Sequence, residues 1–547
     1  MKKFTDWWKQ DRRYVLLIKA LLMALLPFLC CVVTCAAAQK SIGEVYLPSS
    51  EWNDELFYYK QVESIVEFGY PYGYYGFNES HGRVLSFAAW SPVLVLPWIV
   101  WGLLFGWNLM SPIICNILLM MVSMFLFVWL VKPNGKQLGI LTLLFCLYTP
   151  FVRYMLSGMP EIICISHLIV FYGVVISYER KPCAGKLVAE FALAGLLTLM
   201  RPYMLLFLLL PAFCWIRDAG KKGHMWTGIL GSGVVMGAIL ACYAMIKHFF
   251  GAEYFHPLFF TDWLTTFFTD GFGAGVKNFF GTLYWKGKDC YAHMVQGLRT
   301  GLASGTFFTG FLTIGAVLLA QSAVDCLKYR RVEGQKREEK RVEKRVELPE
   351  SAKGVLLAEA HLAFSFVGMF FAILLMYKLT EGSKHLLTFM AVAVFVISLM
   401  ETKAYKKAVF VGAVFAFLYT YRAVDPYDFQ VPYVTEGRAA QVEDWRERFA
   451  GAMELTMENV PNYDNAVIWV FNEVGEDQKA MKWQLLYSLP EGFGISCCQK
   501  DFVLSNFDRL NCRYYVVQSG AEVDKRCREE GMKELSRDHD IVLYQRY

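Results

Sequence analysis

The feature that most limits what this chain can become is a succession of apolar runs. They fall at residues 14–38, 84–105, 110–131, 138–152, 160–178, 186–200, 203–216, 226–250, 301–327, 355–377, 385–400 and 407–422. About 20 apolar helical residues cross the ~30 Å hydrocarbon layer, and a water-soluble core has no room for so many. Hydrophobic residues make up 56% of the 547 and the mean hydropathy is +0.34, which with charges gathered between the runs defines a mainly α, polytopic membrane protein. The net charge of +5 is small and spread over short connections, so it bears on membrane orientation and gives no nucleic-acid surface.

Orientation follows from those connections. Residues 2–13 are basic, which keeps them in the cytoplasm and sends the polar loop 39–83 outside. Ala36-Ala37-Ala38 resembles a signal-peptide cleavage site, but the first apolar run is long for a signal peptide and many others follow, so it reads as a retained helix. Basic connections lie at 132–136, 179–186, 217–224, 328–353 and 402–407. All five fall inside only if run 84–105 does not cross. That run carries Pro92, Pro97, Trp90, Trp98 and Trp101, the composition of helices lying at the interface. The expectation is eleven crossings plus outer-face interfacial helices, in a transmembrane domain of residues 1–424 in the plasma membrane. Residues 328–353, rich in Lys, Arg and Glu, read as a solvated cytoplasmic linker.

From residue 425 the composition turns ordinary. Strand-like runs at 466–471, 513–518 and 541–544 alternate with helical patterns at 477–488 and 521–535, which predicts a small α/β extracytoplasmic domain over 425–547. It has no Gly-rich phosphate loop, no H-E-x-x-H and no G-x-S-x-G. Fifteen cysteines show no metal spacing, and Cys497, Cys498, Cys512 and Cys527 leave one or two tail disulfides open.

Chemistry is expected on the outer face. Asp54 and Glu55 open its first loop, where a carboxylate can take a proton from an acceptor or ligate a divalent cation such as Mg or Mn. Consecutive helical residues point about 100° apart, so only one of the two need face the site, and Asp54 is favoured. The structural alternative is a helix start, since acids favour that end. Glu161, after Met159-Pro160, is a second acid for which a first-turn position is likewise sufficient reason. Cationic candidates for a phosphate are Arg83, Arg153, Arg201, Lys384 and His385, with Lys384-His385 in a tight turn before a helix. Singly, each also reads as a residue snorkelling to the interface. Tyr58, Tyr72 and Tyr74 can stack on a sugar or anchor the loop at the membrane surface.

The order of these features resembles the GT-C superfamily of integral membrane glycosyltransferases, in its bacterial branch related to protein O-mannosyltransferases and the lipid A aminoarabinose transferase. The resemblance covers about residues 1–425 and is carried by Asp54-Glu55, the Pro- and Trp-rich stretch ending at Trp107-Asn108, Met159-Pro160-Glu161, the stretch Gly195 to Pro202, and Glu381 to His385. It implies a hexosyltransferase-type enzyme with a polyprenyl-phosphate-linked sugar donor and a glycan, lipid or protein acceptor. Asp54 is then the essential acid, as base or metal ligand, Glu161 a second, and Arg201 and Lys384 phosphate partners. Lys384-His385 stands where relatives often carry Arg-Tyr. The rival reading is a transporter or flippase of a lipid-linked or small polar substrate. Against it, the two halves show no similarity and the charges sit at the outer edge rather than the midplane.

Overall fold

The computed structural model describes residues 13–45, 53–71, 75–77, 85, 87, 91–251, 261–300, 303–338, 350–377, 379, 385–399, 405–416, 418, 467–470, 495–510, 512–538 and 541–546. Its first half is a chain of helices whose ends follow local chemistry. Helix α1 is Arg13–Ala37 and α2, which carries the first-loop acids, is Asn53–Phe68. A short strand β1 (Tyr75–Phe77) follows, then a 3-10 turn at Pro92–Val95 leading into α3 (Leu96–Phe105). Helix α4 is Ser111–Val131, and Lys132 ends it in the left-handed region at φ +51°. Helix α5 (Gly135–Leu147) starts at a capping box in which Asn134 accepts from the Gln137 amide and Gln137 from the Asn134 amide. A single turn α6 (Pro150–Met155) then leads to α7 (Glu161–Arg180).

Helix α8 is Ala184–Met200, and a 3-10 segment Pro202–Leu208 runs straight into α9 (Leu209–Lys221). The 3-10 segment and α9 together form a 20-residue apolar span, Pro202–Lys221. Next come α10 (Met225–Phe250), α11 (Asp262–Thr269), α12 (Phe272–Thr300), α13 (Ala303–Glu338), α14 (Glu350–Met376), α15 (Leu386–Ser398) and α16 (Tyr405–Phe415). Helix α13 continues into the run expected as a linker, to Glu338, on strong helix formers of mixed charge.

Each of the eleven runs expected to cross falls on a helix. Among the described residues, seven helices are long and apolar enough to cross a membrane, and Pro92–Phe105, Gly135–Leu147 and Leu386–Ser398 are shorter apolar ones. The protein is therefore an integral membrane protein. Helix α7 lies at its centre, with 83% of its span buried against α4, α8, α14 and α15, whereas α10 is only 6% buried and turns its apolar surface outward. At about 1.5 Å per residue, the 14 residues of Pro92–Phe105 fall short of a bilayer's width.

The tail strands are β2 (Val467–Val470), β3 (Ile495–Cys498), β4 (Tyr514–Gln518), β5 (Lys533–Asp538) and β6 (Ile541–Gln545), with helices α17 (Lys500–Asn506) and α18 (Glu522–Glu529). They form one sheet in the order β1-β3-β2-β4-β6-β5, parallel from β1 to β4 and antiparallel beyond. Strand β1 comes from the first loop, so that loop and the tail meet at one end of the bundle. Strand alternation divides the sheet: Tyr514, Val516 and Leu543 join the core of the helical bundle, while Tyr515, Val517, Val542 and Tyr544 pack with Phe502, Val503 and Val523. The helix expected over 521–535 stops at Glu529 because Gly531, at φ +67°, turns the chain, and the Met532 amide closes back on the Cys527 carbonyl. Residues 533–535 then enter β5. Cys498, Cys512 and Cys527 are buried, and no disulfide joins any two of these three. The helix expected at 477–488 lies outside the described residues.

Candidate functional site

The site is built on the turn that starts α7. Ser157 holds this turn locally, donating its hydroxyl to the Tyr154 carbonyl and accepting from the Met159 amide. Pro160 occupies the N-cap and Glu161 is the first helical residue. An acid at that position faces the positive end of the helix dipole. A second contact goes beyond a helix start: Glu161 Oε1 accepts from Arg201 Nη2 at 2.7 Å, in a pair whose side chains are 3% and 1% exposed. The other oxygen, Oε2, is buried with no hydrogen-bond partner among the described residues.

Arg201 reaches this position because Pro202 breaks the helical run. Arg201 takes extended backbone as the cap between α8 and the 3-10 segment, and its side chain turns inward. Its Nη1 donates to the Tyr203 hydroxyl at 3.0 Å and to His385 Nδ1 at 3.3 Å. The Tyr203 hydroxyl also lies 3.4 Å from His385 Nδ1. A ring nitrogen that accepts from a guanidinium carries no proton, so this network assigns a neutral His385 with its hydrogen on Nε2. Burial disfavours the Arg201 charge, but Tyr203, Glu161 and neighbouring Tyr58 outweigh it and hold the guanidinium well above its ordinary range. Tyr377 completes the wall, with its ring 5.5 Å from that of His385.

Glu55 meets the same turn from the other side. It is fully buried, and its Oε2 accepts from the Gly158 amide at 3.3 Å. Helix α2 is set there by packing on α3. Trp107 stacks on Tyr59 at 5.4 Å and donates Nε1–H to the Tyr59 carbonyl. Gly102 lets α2 approach, since a Cβ there would meet Val66 Cγ2 at 2.5 Å.

Of the residues singled out from the sequence, Glu55, Glu161, Arg201 and His385 come together at this end of the bundle, with Tyr58 buried beside Arg201. Asp54 has its backbone in the first turn of α2, while its side chain lies outside the described residues, as do Tyr72, Tyr74, Arg83 and Lys384. Arg153 is buried on α6. Tyr203 and Tyr377 were not anticipated. Tyr203 carried a faint signal, being polar and two residues after Arg201, but Tyr377 carried none. Among the described residues no three His, Cys, Asp or Glu side chains gather in one place, and one of the two carboxylates here is engaged by Arg201; the side chain of Asp54, the expected ligand, lies outside the described residues.

No family model matches the chain, and no curated protein matches it. Its overall arrangement is similar to that of solved structures. The apo oligosaccharyltransferase of Archaeoglobus fulgidus matches at 12% identity over 94% of this chain and 70% of that one, with a TM-score of 0.48. ArnT of Cupriavidus metallidurans bound to undecaprenyl phosphate matches at 12% identity over 96% and 97%, with a TM-score of 0.39. The likeness is one of overall arrangement, and the functional reading below rests on the side chains.

Proposed function

We propose that this protein is a glycosyltransferase of the hexosyl type that moves a sugar from a polyprenyl-phosphate donor to an acceptor at the outer face of the membrane. The observation that supports this most is the half-satisfied Glu161–Arg201 pair, buried beside Glu55 and a neutral His385. A buried acid with one open oxygen beside a guanidinium suits a site completed by a polar ligand. The prenyl tail stays in lipid, its phosphate rests at the boundary, and the acceptor arrives from water. In this reading the end bearing the first loop and the tail domain faces outward, and the N-terminus is cytoplasmic.

The reaction is one displacement. Asp54, in the first turn of α2, takes the proton of the acceptor hydroxyl. The acceptor oxygen forms its bond to the anomeric carbon as the bond to the phosphate oxygen breaks, and the electron pair leaves with polyprenyl phosphate. Attack from the opposite face inverts the anomeric centre. Arg201 and Lys384 answer the charge growing on the leaving phosphate, and the His385 Nε2–H adds a neutral donor. Asp54 then returns its proton to water.

The test is transfer of radiolabelled sugar from polyprenyl phosphate in membranes holding wild-type protein or Asp54→Asn. The expected result is inverted product from the wild type and a loss of at least about 100-fold in the variant. Equal product from both removes Asp54 as base. Donor that crosses the bilayer unconsumed marks a transporter instead.

A further inference from the structure

Asn116 lies in the second turn of α4, an otherwise apolar helix, and is fully buried. Asparagine is a modest helix former, and a bare amide in hydrocarbon is costly, so the position calls for a reason. Its contacts supply one. Oδ1 accepts from Trp98 Nε1 of α3 at 3.0 Å. Nδ2 faces three carbonyls of the turn before α7: Ser157 at 3.0 Å, Tyr154 at 3.3 Å and Met159 at 3.4 Å. With a donor on one side and only acceptors on the other, the amide fits in one orientation.

Those carbonyls flank Gly158, whose amide donates to Glu55, and lead into Glu161, which holds Arg201. We infer that Asn116, clamped by Trp98, is the positioning residue that sets the two acids of the site relative to each other. It touches neither substrate nor reacting atoms. It acts by fixing the direction of the Gly158 N–H and the start of α7, and it ties both to the helix on which α2 rests. Aspartate at 116 keeps the shape but turns an oxygen toward three carbonyl oxygens. Phenylalanine at 98 keeps the ring and removes one donor. The two changes strike opposite ends of the same clamp.

This inference rests on the transferase reading for its kinetic arm, so the test has a second arm that does not. Full-length wild type, Asn116→Asp and Trp98→Phe are compared in nanodiscs by hydrogen exchange over 154–161 and by labelled-sugar transfer from polyprenyl phosphate. Asn116→Asp is expected to speed exchange at the Gly158 amide at least about tenfold, with exchange in α14 and α15 unchanged. Its kcat falls about 100-fold with the donor KM within threefold of wild type, the pattern of misplaced rather than missing groups. Trp98→Phe follows in the same direction with smaller changes. It carries the test alone if Asn116→Asp does not fold. Unchanged exchange at Gly158 overturns the inference whatever the activity. So does exchange that rises equally in α14 and α15 with kcat per folded molecule preserved, because that is a purely structural role. No transfer by the wild type, with Gly158 exchange still responding, defeats the transferase reading and leaves the clamp standing.

Discussion

The two ends of α7 each carry a glutamate facing an arginine, and they are finished differently. At the C-terminal end, Arg217 grips Glu179 with two bonds of 2.6 and 2.9 Å, one to each carboxylate oxygen. Asp218 takes Arg217 Nε at 3.0 Å, Lys221 at 2.8 Å and the Tyr178 hydroxyl at 2.8 Å. At the N-terminal end, Glu161 gives Arg201 one oxygen, and the other has no partner among the described residues. Both clusters obey the rule that charges at membrane depth need partners. The first is saturated, as a structural brace should be. The second keeps an acceptor open beside a positive charge and a neutral histidine, as a site that receives a ligand should.

The largest expected effect separates charge balance from function. Arg201→Met leaves Glu161 buried without its partner and is expected to destabilise the protein by about 3–5 kcal/mol, read as a fall in Tm. Adding Glu161→Gln removes the stranded charge, so the double variant should regain most of that stability while sugar transfer stays lost. Recovery of transfer in the double variant would make the N-terminal pair a brace like the other.

Next in size, Arg217→Met should cost about 1–3 kcal/mol at the saturated end, where the arginine is partly exposed, with transfer per folded molecule unchanged. A selective loss of transfer would erase the distinction between the two ends.

Glu190 sharpens the comparison from a third direction. It is fully buried on α8 near the saturated cluster, yet neither oxygen is hydrogen-bonded among the described residues. Leucine of similar volume at 190 removes an unmet acid, so Glu190→Leu should be neutral or stabilising by about 1–2 kcal/mol, measured by Tm. A marked loss of stability would mean that this acid has a partner too.

The smallest effect lies in the tail. Asp524 is buried and held by Tyr544, the Gly520 amide and Arg528. Burial disfavours its charge, but those three hydrogen-bonding partners outweigh it and hold the carboxyl below its usual range. The ionised form is thus favoured by folding. Its stabilisation is complete above the ordinary carboxylate range and fades as pH falls through the depressed value. Protection of the amides in β4 and β6, measured relative to their intrinsic exchange rates at each pH, should fall on acidification in the wild type and respond less in Asp524→Asn; equal responses would deny Asp524 that role.

Much of this was legible in the sequence because it is local. Apolar runs declare their helices, Pro92 and Pro97 shorten one of them, and Pro202 turns Arg201 out of a helix and into the bundle. Glu161 and Arg201 could both be assigned to one face from the side on which the basic connections fall. What was not legible depends on distant pairing. Nothing near Tyr75 announces that β1 will join a sheet whose next strand starts at Ile495. Asn116 shows only as a lone polar residue in an apolar run, and its meaning appears when the Ser157 turn arrives beside it. The helix expected to reach 535 failed on one glycine, whose backbone freedom outweighed the periodic pattern.

The account stands on the claim that Arg201, beside the open acid, receives a lipid-borne phosphate, and ligand-induced stabilisation measures this directly. Purified wild type and the Glu161→Gln, Arg201→Met double variant are heated with undecaprenyl phosphate or with undecaprenol, which lacks the charge. A ligand bound at 100 times its Kd stabilises by about 2.7 kcal/mol. The account predicts a raised Tm only for wild type with the phosphate. An equal rise in the double variant, or the same rise with the uncharged alcohol, would contradict it.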